Sequence, residues 1–520
     1  MDSGVLFYVV LPTILLLVVL ASVWLDRWSV PVILLALGGG ILFGKDVLAV
    51  WAFDNQELTS RCANLALVFI LFQGGFGTKR SDLKTVGLAA TGMATWGVLL
   101  TAGVGFVALW KGLGWDPKRA LLISAIISST DAAATFSILK RQALPKRLAS
   151  TLEIESAAND PMAVVLTTVV VGAYAAEGAE GGGMLSGFLW QFVGGPLIGY
   201  GAGWGAVRLF NWLRPTERGH YYVLFLAVVL LTYGLADLAR TSGMLAVFVA
   251  GLHMGNHGFV HKQGVSNFSA AFSSIANIGM FVMLGLLVSP KAMLGFARDG
   301  LGLFAVLALV SRPAAVWLGT AGMGFRWKDK LFMSWAGLRG AVPIVLATYP
   351  AAAGLEDSEA IFNLVFFAVL LSVLVQGSTL GVLGRWLHFP ARTGSDPLYS
   401  LELFTMEKSD KDLLTVDLPG EAEGPRIMDL RLPPETVVTL ISRGAEVVSP
   451  MGQTRLRGGD RVTVLVSQDR MGEAERSLLE PFGDGVGAQA REISMKNGLR
   501  RGGERPKVGG HFNNRLEKIG

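Results

Sequence analysis

Over the first three quarters of the chain, apolar residues neither alternate with polar ones nor recur once per helical turn. They gather into long runs separated by short polar stretches. Runs of about 17–25 apolar residues are the unit that crosses a bilayer as a helix. Thirteen can be read, at 4–24, 29–44, 62–78, 86–110, 118–139, 150–175, 186–212, 219–239, 243–257, 268–290, 297–322, 330–350 and 359–386. The second and ninth are short, and a merged or re-entrant segment is open for each. After about Pro390 the pattern changes. "TVVTLISR" and "DRVTVLVS" read as strands, "RGGD" as the turn before the second, and "MGEAERSLLEPF" as a closing helix. The expected organisation is a transmembrane domain over 1–390, a small α+β domain over 396–485 and a basic, disordered tail over 486–520. The tail carries eight Lys and Arg against three Glu and no periodic apolar pattern.

Composition agrees with this pattern. Of 520 residues, 52% are hydrophobic and 16% charged, and the mean hydropathy is +0.49. Such a chain is not a soluble enzyme, and 65 Gly and 13 Trp suit a polytopic membrane protein. The one cysteine, Cys62, rules out an intrachain disulfide framework and a thiolate cluster. The first run lacks a basic leader and a small-residue cleavage site, so it reads as a retained span. Loops after odd-numbered spans hold fifteen Lys and Arg, against eight after even-numbered ones. The positive-inside rule then places the N-terminus outside and the C-terminal domain in the cytoplasm. No Walker loop, nucleophile triad or dinucleotide fingerprint occurs, so neither an enzyme nor an ATP-driven pump has support. No cofactor, metal site or nucleic-acid partner is expected.

Ionisable groups inside spans are costly and point to function. Span five, "ALLISAIISSTDAAATFSIL", is interrupted by Ser128, Ser129, Thr130 and Asp131, a set suited to a broken helix. Span six carries "ESAANDP", in which Ser156 lies one turn before Asp160 and Glu155 one turn before Asn159. The helix thus presents two polar faces, and Glu155 needs a cation of its own. The candidate is Arg339 in span twelve, where Gly337, Gly340 and Pro343 mark a second interrupted helix. Two broken spans in corresponding halves are the pattern of a transporter site. Asp131 and Arg339 have the signs needed to compensate half-helix ends. Asp160 is the exchanging group in this reading: a carboxylate in a partly dry cavity holds a proton or a monovalent cation, but not both. His253, His257 and His261 are spaced by four, which suits a metal stripe, a pH sensor or a span end. Gln73 in "LFQGGFG" reads as packing, and Arg312 before Pro313 as a kink partner or an interfacial charge.

The three motifs, Thr130-Asp131 in a polar break, "ESAANDP" and "GLRGAVPI", together resemble the cation:proton antiporter superfamily of the NhaP type. The likeness spans about residues 4–386. "TVVTLISRGAEVVSPMGQTRLRGGDRVTVLV" resembles an RCK C-terminal (TrkA-C) domain, and the combination resembles the potassium/proton branch of that superfamily. The resemblance implies an all-α fold of thirteen helices in inverted repeats, a homodimer, and a moving bundle in which two broken helices cross at the midplane. It implies that Asp160, Asn159, Ser156, Thr130 and Asp131 surround the ion and that Glu155 pairs with Arg339. It further implies that Asn159, standing beside a single carboxylate, sets an electroneutral one-for-one exchange. One departure is Gln73, where relatives carry an acid; it is retained as an accessory candidate.

The expected function is exchange of K⁺ or Na⁺ for H⁺ in the plasma membrane, a bacterial inner membrane. Membrane lipid and a small regulatory ligand such as a nucleotide are the other expected partners. An RCK-gated cation channel is the alternative from another class, although no Gly-Tyr-Gly filter is present. A carrier of an organic substrate, or a sensor that no longer transports, is the third.

Overall fold

The computed structural model describes residues 3–25, 32–50, 56–131, 144–175, 181–213, 215, 217–389, 411–419, 423–444, 446–467 and 470–482. The chain divides into two compact units, Met1–Thr393 and Gly394–Gly520.

The first unit is helical. Its helices are α1 (Ser3–Leu25), α2 (Val32–Phe43), α3 (Gln56–Gly77), α4 (Arg80–Val107), α5 (Pro117–Ile126), α6 (Lys146–Ala175), α7 (Gly181–Leu213), α8 (Arg218–Leu238), α9 (Gly243–Gly255) and α10 (Lys262–Leu287). A short helix at Pro290–Gly295 precedes α11 (Ala297–Gly319), α12 (Trp327–Trp335), α13 (Ala341–Ala352) and α14 (Ser358–Trp386). Among the described residues, eight helices are long and apolar enough to cross a bilayer, and α2, α9 and α13 are shorter apolar ones.

Local chemistry sets the helix starts near the site. Pro117 occupies the first turn of α5, and the Asp116 side chain accepts the Arg119 N–H at 3.0 Å. Ser242 caps α9 by accepting the Leu245 N–H at 3.2 Å. Helices α2, α3, α7, α8, α9 and α10 pack mainly on one another, while α4, α5, α6, α11 and α14 form a second group. Close backbone approach holds the first group. A Cβ at Gly75 or Gly251 would collide with the facing carbonyl of Phe248 or Phe72, so α3 and α9 touch along their glycines. In a bilayer, where lipid is as apolar as a side chain, this contact is a main source of helix association.

Among the described residues, π-turns occur at Ala108–Gly112 at the end of α4, Leu307–Ser311 within α11 and Ser372–Gln376 within α14. Each widens the helix by one residue and turns the following side chains to a new face. The fifth and twelfth apolar runs both depart from helix within their length. The first ends its helical course at Ile126 and continues through non-helical residues to Asp131; its expected continuation over 132–139 lies outside the described residues. The twelfth is split between α12 and α13 by residues 336–340.

The second unit contains a four-stranded antiparallel sheet in the order β1 (Lys411–Asp417), β6 (Arg461–Ser467), β3 (Val437–Arg443), β4 (Glu446–Val448). A separate pair joins β2 (Glu423–Arg426) to β5 (Arg455–Arg457). Val462, Val464 and Val466 alternate along β6 toward a core shared with Ala474 and Leu478 of helix α15 (Met471–Leu479). The "RGGD" turn places Gly459 at a φ of 85°, a conformation that suits glycine. Arg443 closes this core with a bidentate pair to buried Asp460, both contacts 2.8 Å. The tail expected over 486–520 lies outside the described residues.

Candidate ion-exchange site

The two breaks are joined to each other. Where α5 stops, Ser128 and Ser129 have carbonyls that no longer meet a helical donor, and Arg339 Nη1 donates to both, at 2.8 and 2.5 Å. In return, the Asp131 N–H donates to the Leu338 carbonyl at 2.7 Å. The Asp131 carboxylate lies against Gly340, at the start of α13, so closely that a Cβ there would overlap it. A cation thus sits at the carboxyl end of one half-helix and a carboxylate at the amino end of the other, as the half-helix dipoles favour.

Helix α6 runs past the first break and meets it with three side chains. Asp160 accepts a hydrogen bond from Ser129 Oγ at 2.7 Å. Ser156 Oγ donates to the Thr130 carbonyl at 2.7 Å and lies 3.2 Å from Thr130 Oγ1. Asn159 Nδ2 donates to Thr130 Oγ1 at 2.5 Å, while its Oδ1 is buried with no hydrogen-bond partner among the described residues. Ser129, Thr130, Ser156 and Asn159 are all buried, whereas Asp160 is partly exposed. The arrangement is a carboxylate beside a buried cluster of hydroxyl, amide and carbonyl oxygens. Such oxygens suit an unhydrated monovalent cation, and a carboxylate among them can bind either that cation or a proton.

The expected pairing of Glu155 with Arg339 is corrected by the structure. Glu155 forms a bidentate pair with Arg312, with Nη1 to Oε1 at 2.5 Å and Nη2 to Oε2 at 3.1 Å, and both residues are buried. Arg339 is engaged by the two carbonyls that the α5 break exposes. Arg312 becomes available because it follows directly on the π-turn Leu307–Ser311, and its side chain crosses Gly337, where a Cβ would strike Nε. The two glycines beside Arg339 therefore serve as passages for other charged side chains, Arg312 over Gly337 and Asp131 over Gly340.

Gln73 lies on α3, next to Gly74, whose Cβ position is 3.7 Å from Ala157 of α6. Its Oε1 is buried and has no hydrogen-bond partner among the described residues. His253, on the last turn of α9, stacks at 4.0 Å on His257 just past the helix end, while His261 sits in a left-handed conformation beside Tyr221 and Tyr222. Among the described residues, no three His, Cys, Asp or Glu side chains converge as metal ligands.

Sequence reasoning did not single out Ser129 as the partner of Asp160, nor Arg312 as that of Glu155. The signal for Arg312 was present: a buried cation beside a proline in an apolar run needs a counter-charge. Nothing local specified which one.

The family described as sodium/hydrogen exchanger, transmembrane, matches residues 13–386, and the TrkA-C domain matches 413–479. The K(+)/H(+) antiporter NhaP2 of Shewanella oneidensis is 36% identical over 468 residues, covering 88% of this chain and 81% of that protein. The K(+)/H(+) antiporter NhaP of Alkalimonas amylolytica is 37% identical over 411 residues, covering 77% and 71%. The solved structure of the sodium proton antiporter MjNhaP1 from Methanocaldococcus jannaschii superposes with a TM-score of 0.64 at 24% identity, over 72% of this chain and 97% of that one, a likeness of fold.

Proposed function

The chain belongs to the sodium/hydrogen exchanger family, and from that premise we propose that it exchanges K⁺ for H⁺ across the membrane at Asp160. One observation carries this reading: the Asp160 carboxylate stands against a buried oxygen cluster built where the first helix of the fifth run ends. Proton and cation compete for that carboxylate, so loading one releases the other. Asn159 is amide where a second acid would titrate, and a single titrating group gives an electroneutral one-for-one exchange. Ser156, Thr130 and Asn159 supply or orient oxygens around the ion, Asp131 and Arg339 hold the two breaks together, and Gln73 is an accessory group. K⁺ is proposed over Na⁺ as substrate because relatives that match 77–88% of this chain, in Shewanella and in Alkalimonas amylolytica, bear potassium/proton names.

The membrane domain, residues 1–390, crosses thirteen times, with the N-terminus outside and the C-terminus in the cytoplasm of a bacterial inner membrane. Two copies assemble as a dimer. The domain over 396–485 regulates exchange on binding a small ligand such as a nucleotide, and the basic tail over 486–520 follows it.

The test is dequenching of a pH-sensitive dye in proteoliposomes on addition of K⁺, with Na⁺ in parallel. The wild type should respond and Asp160→Asn should not. An unchanged response in Asp160→Asn would overturn the site, and a cation current in a planar bilayer would replace exchange with a channel.

A further inference from the structure

The second break lacks one particular helical hydrogen bond, yet both of its ends are satisfied. In an unbroken helix the Arg339 N–H would donate to the carbonyl of Trp335, four residues earlier. Here the Arg339 N–H donates to Ser372 Oγ at 3.0 Å. Ser372 Oγ donates in turn to Gln376 Oε1 at 2.6 Å, and Gln376 Nε2 donates to the Trp335 carbonyl at 3.3 Å. The relay runs from the donor to the acceptor of the missing bond in the same sense, through two side chains. Both come from the π-turn Ser372–Gln376 of α14, and Ser372, Gln376 and Arg339 are all at least 98% buried.

We propose that Ser372 and Gln376 are positioning residues, a polar spacer that holds the α12–α13 break open and thereby keeps the Arg339 guanidinium on the carbonyls beside Asp160. The inference rests on the Asp160 site proposed above. A buried amide and hydroxyl in an apolar helix are costly unless every polar atom is paired, and an aliphatic pair would fill the same volume. What Ser372 and Gln376 add is a donor and an acceptor spaced to separate Trp335 from Arg339. Without them, the Arg339 N–H and Trp335 carbonyl either remain unpaired or close on each other. Closure winds residues 336–339 into helix and swings Arg339 by about 100° for each residue wound. The displacement reaches the ion through a single residue, because Ser129 offers its carbonyl to Arg339 and its hydroxyl to Asp160.

The test compares Ser372→Ala, Gln376→Leu, their double variant, Ser372→Thr and Gln376→Asn in the full chain. Two readouts are taken: the K⁺ dependence of exchange in proteoliposomes, split into apparent KM and maximal rate, and amide hydrogen exchange of peptides covering 336–340. Ser372→Ala and Gln376→Leu should each raise apparent KM about fivefold to twentyfold, the scale of one or two buried hydrogen bonds, and speed amide exchange over 336–340. The double variant should be no worse than the more affected single one, because the relay acts as a unit. Ser372→Thr, which keeps the hydroxyl, should restore both readouts. Wild-type KM and amide exchange in the single variants, or additive losses in the double, would overturn the proposal. If the aliphatic variants do not fold, Gln376→Asn decides: one methylene shorter, it cannot reach both partners, and wild-type behaviour there overturns the relay. Asp160→Asn is run alongside. Exchange surviving in that variant defeats the site reading, while the 336–340 amides still report on the spacer.

Discussion

Glu155 and Asp160 lie five positions apart on one helix and have separate partners, a separation that helical periodicity alone makes legible. Asp160 turns to Ser129 in the first break, and Glu155 turns to Arg312 on α11. The identity of that arginine was not legible. Arg339 had the better local surroundings, two glycines and a proline, but those glycines make room for Arg312 and Asp131. A buried pair that loses one member leaves an uncompensated charge, which costs about 3–5 kcal/mol. Arg312→Gln is therefore expected to lower the melting temperature in detergent sharply. The double variant Glu155→Gln/Arg312→Gln should lose less than either single one, since it strands no charge. Equal losses in all three would show that the pair is not the stabilising contact. Ser129→Ala removes the hydroxyl that orients Asp160. It should raise the apparent KM for K⁺ about tenfold to a hundredfold, the scale of one hydrogen bond to a charged group, with little change in melting temperature.

At the scale of elements, the breaks and the π-turns work together. Each break exposes backbone groups that must be paired in a medium without water, and each is paired from elsewhere: Ser128 and Ser129 by Arg339, Arg339 and Trp335 by α14. Both breaks could be read from the sequence, because polar residues and glycines interrupt apolar runs. The π-turns were less legible: Pro313 after "ALVS" signals a local distortion, but "LLSVLVQG" is ordinary helical sequence. The tightest constraint is Gly340, where a Cβ would overlap the Asp131 carboxylate. Gly340→Ala should abolish cation-dependent exchange even where the protein is recovered folded, as measured by dye dequenching at equal protein content. Retained wild-type exchange would show that Asp131 moves aside freely.

At the scale of the molecule, the two units have separate cores and should unfold separately. The Arg443–Asp460 pair belongs to the second core, with Asp460 1% exposed. Arg443→Ala leaves Asp460 buried without its cation and should destabilise that unit by about 2–4 kcal/mol. The calorimetric transition of the membrane unit should stay in place; movement of both transitions would mean that the units unfold as one. Removing 396–520 should preserve Asp160-dependent exchange but change its rate, measured in the same proteoliposome assay. An unchanged rate and pH profile would remove the regulatory role of the C-terminal domain.

Composition and the pattern of apolar runs pointed to a membrane domain followed by a small strand-containing domain, to departures from helix in the fifth and twelfth runs, and to a carboxylate in the first of these. These are local properties, set by how each segment must meet lipid or water. Strands β3 and β6 and the closing helix were equally local, carried by β-branched alternation and a glycine turn. Partner choice was decided by the tertiary structure alone. Arg312 reaches Glu155 across 157 positions of sequence and Arg339 reaches Ser129 across 210, through helix rotations fixed by a π-turn and by glycine passages. Which polar groups meet inside a bundle depends on the angle at which each helix faces its neighbours. A shift of one residue changes that angle by about 100°, and only the packed helices set it.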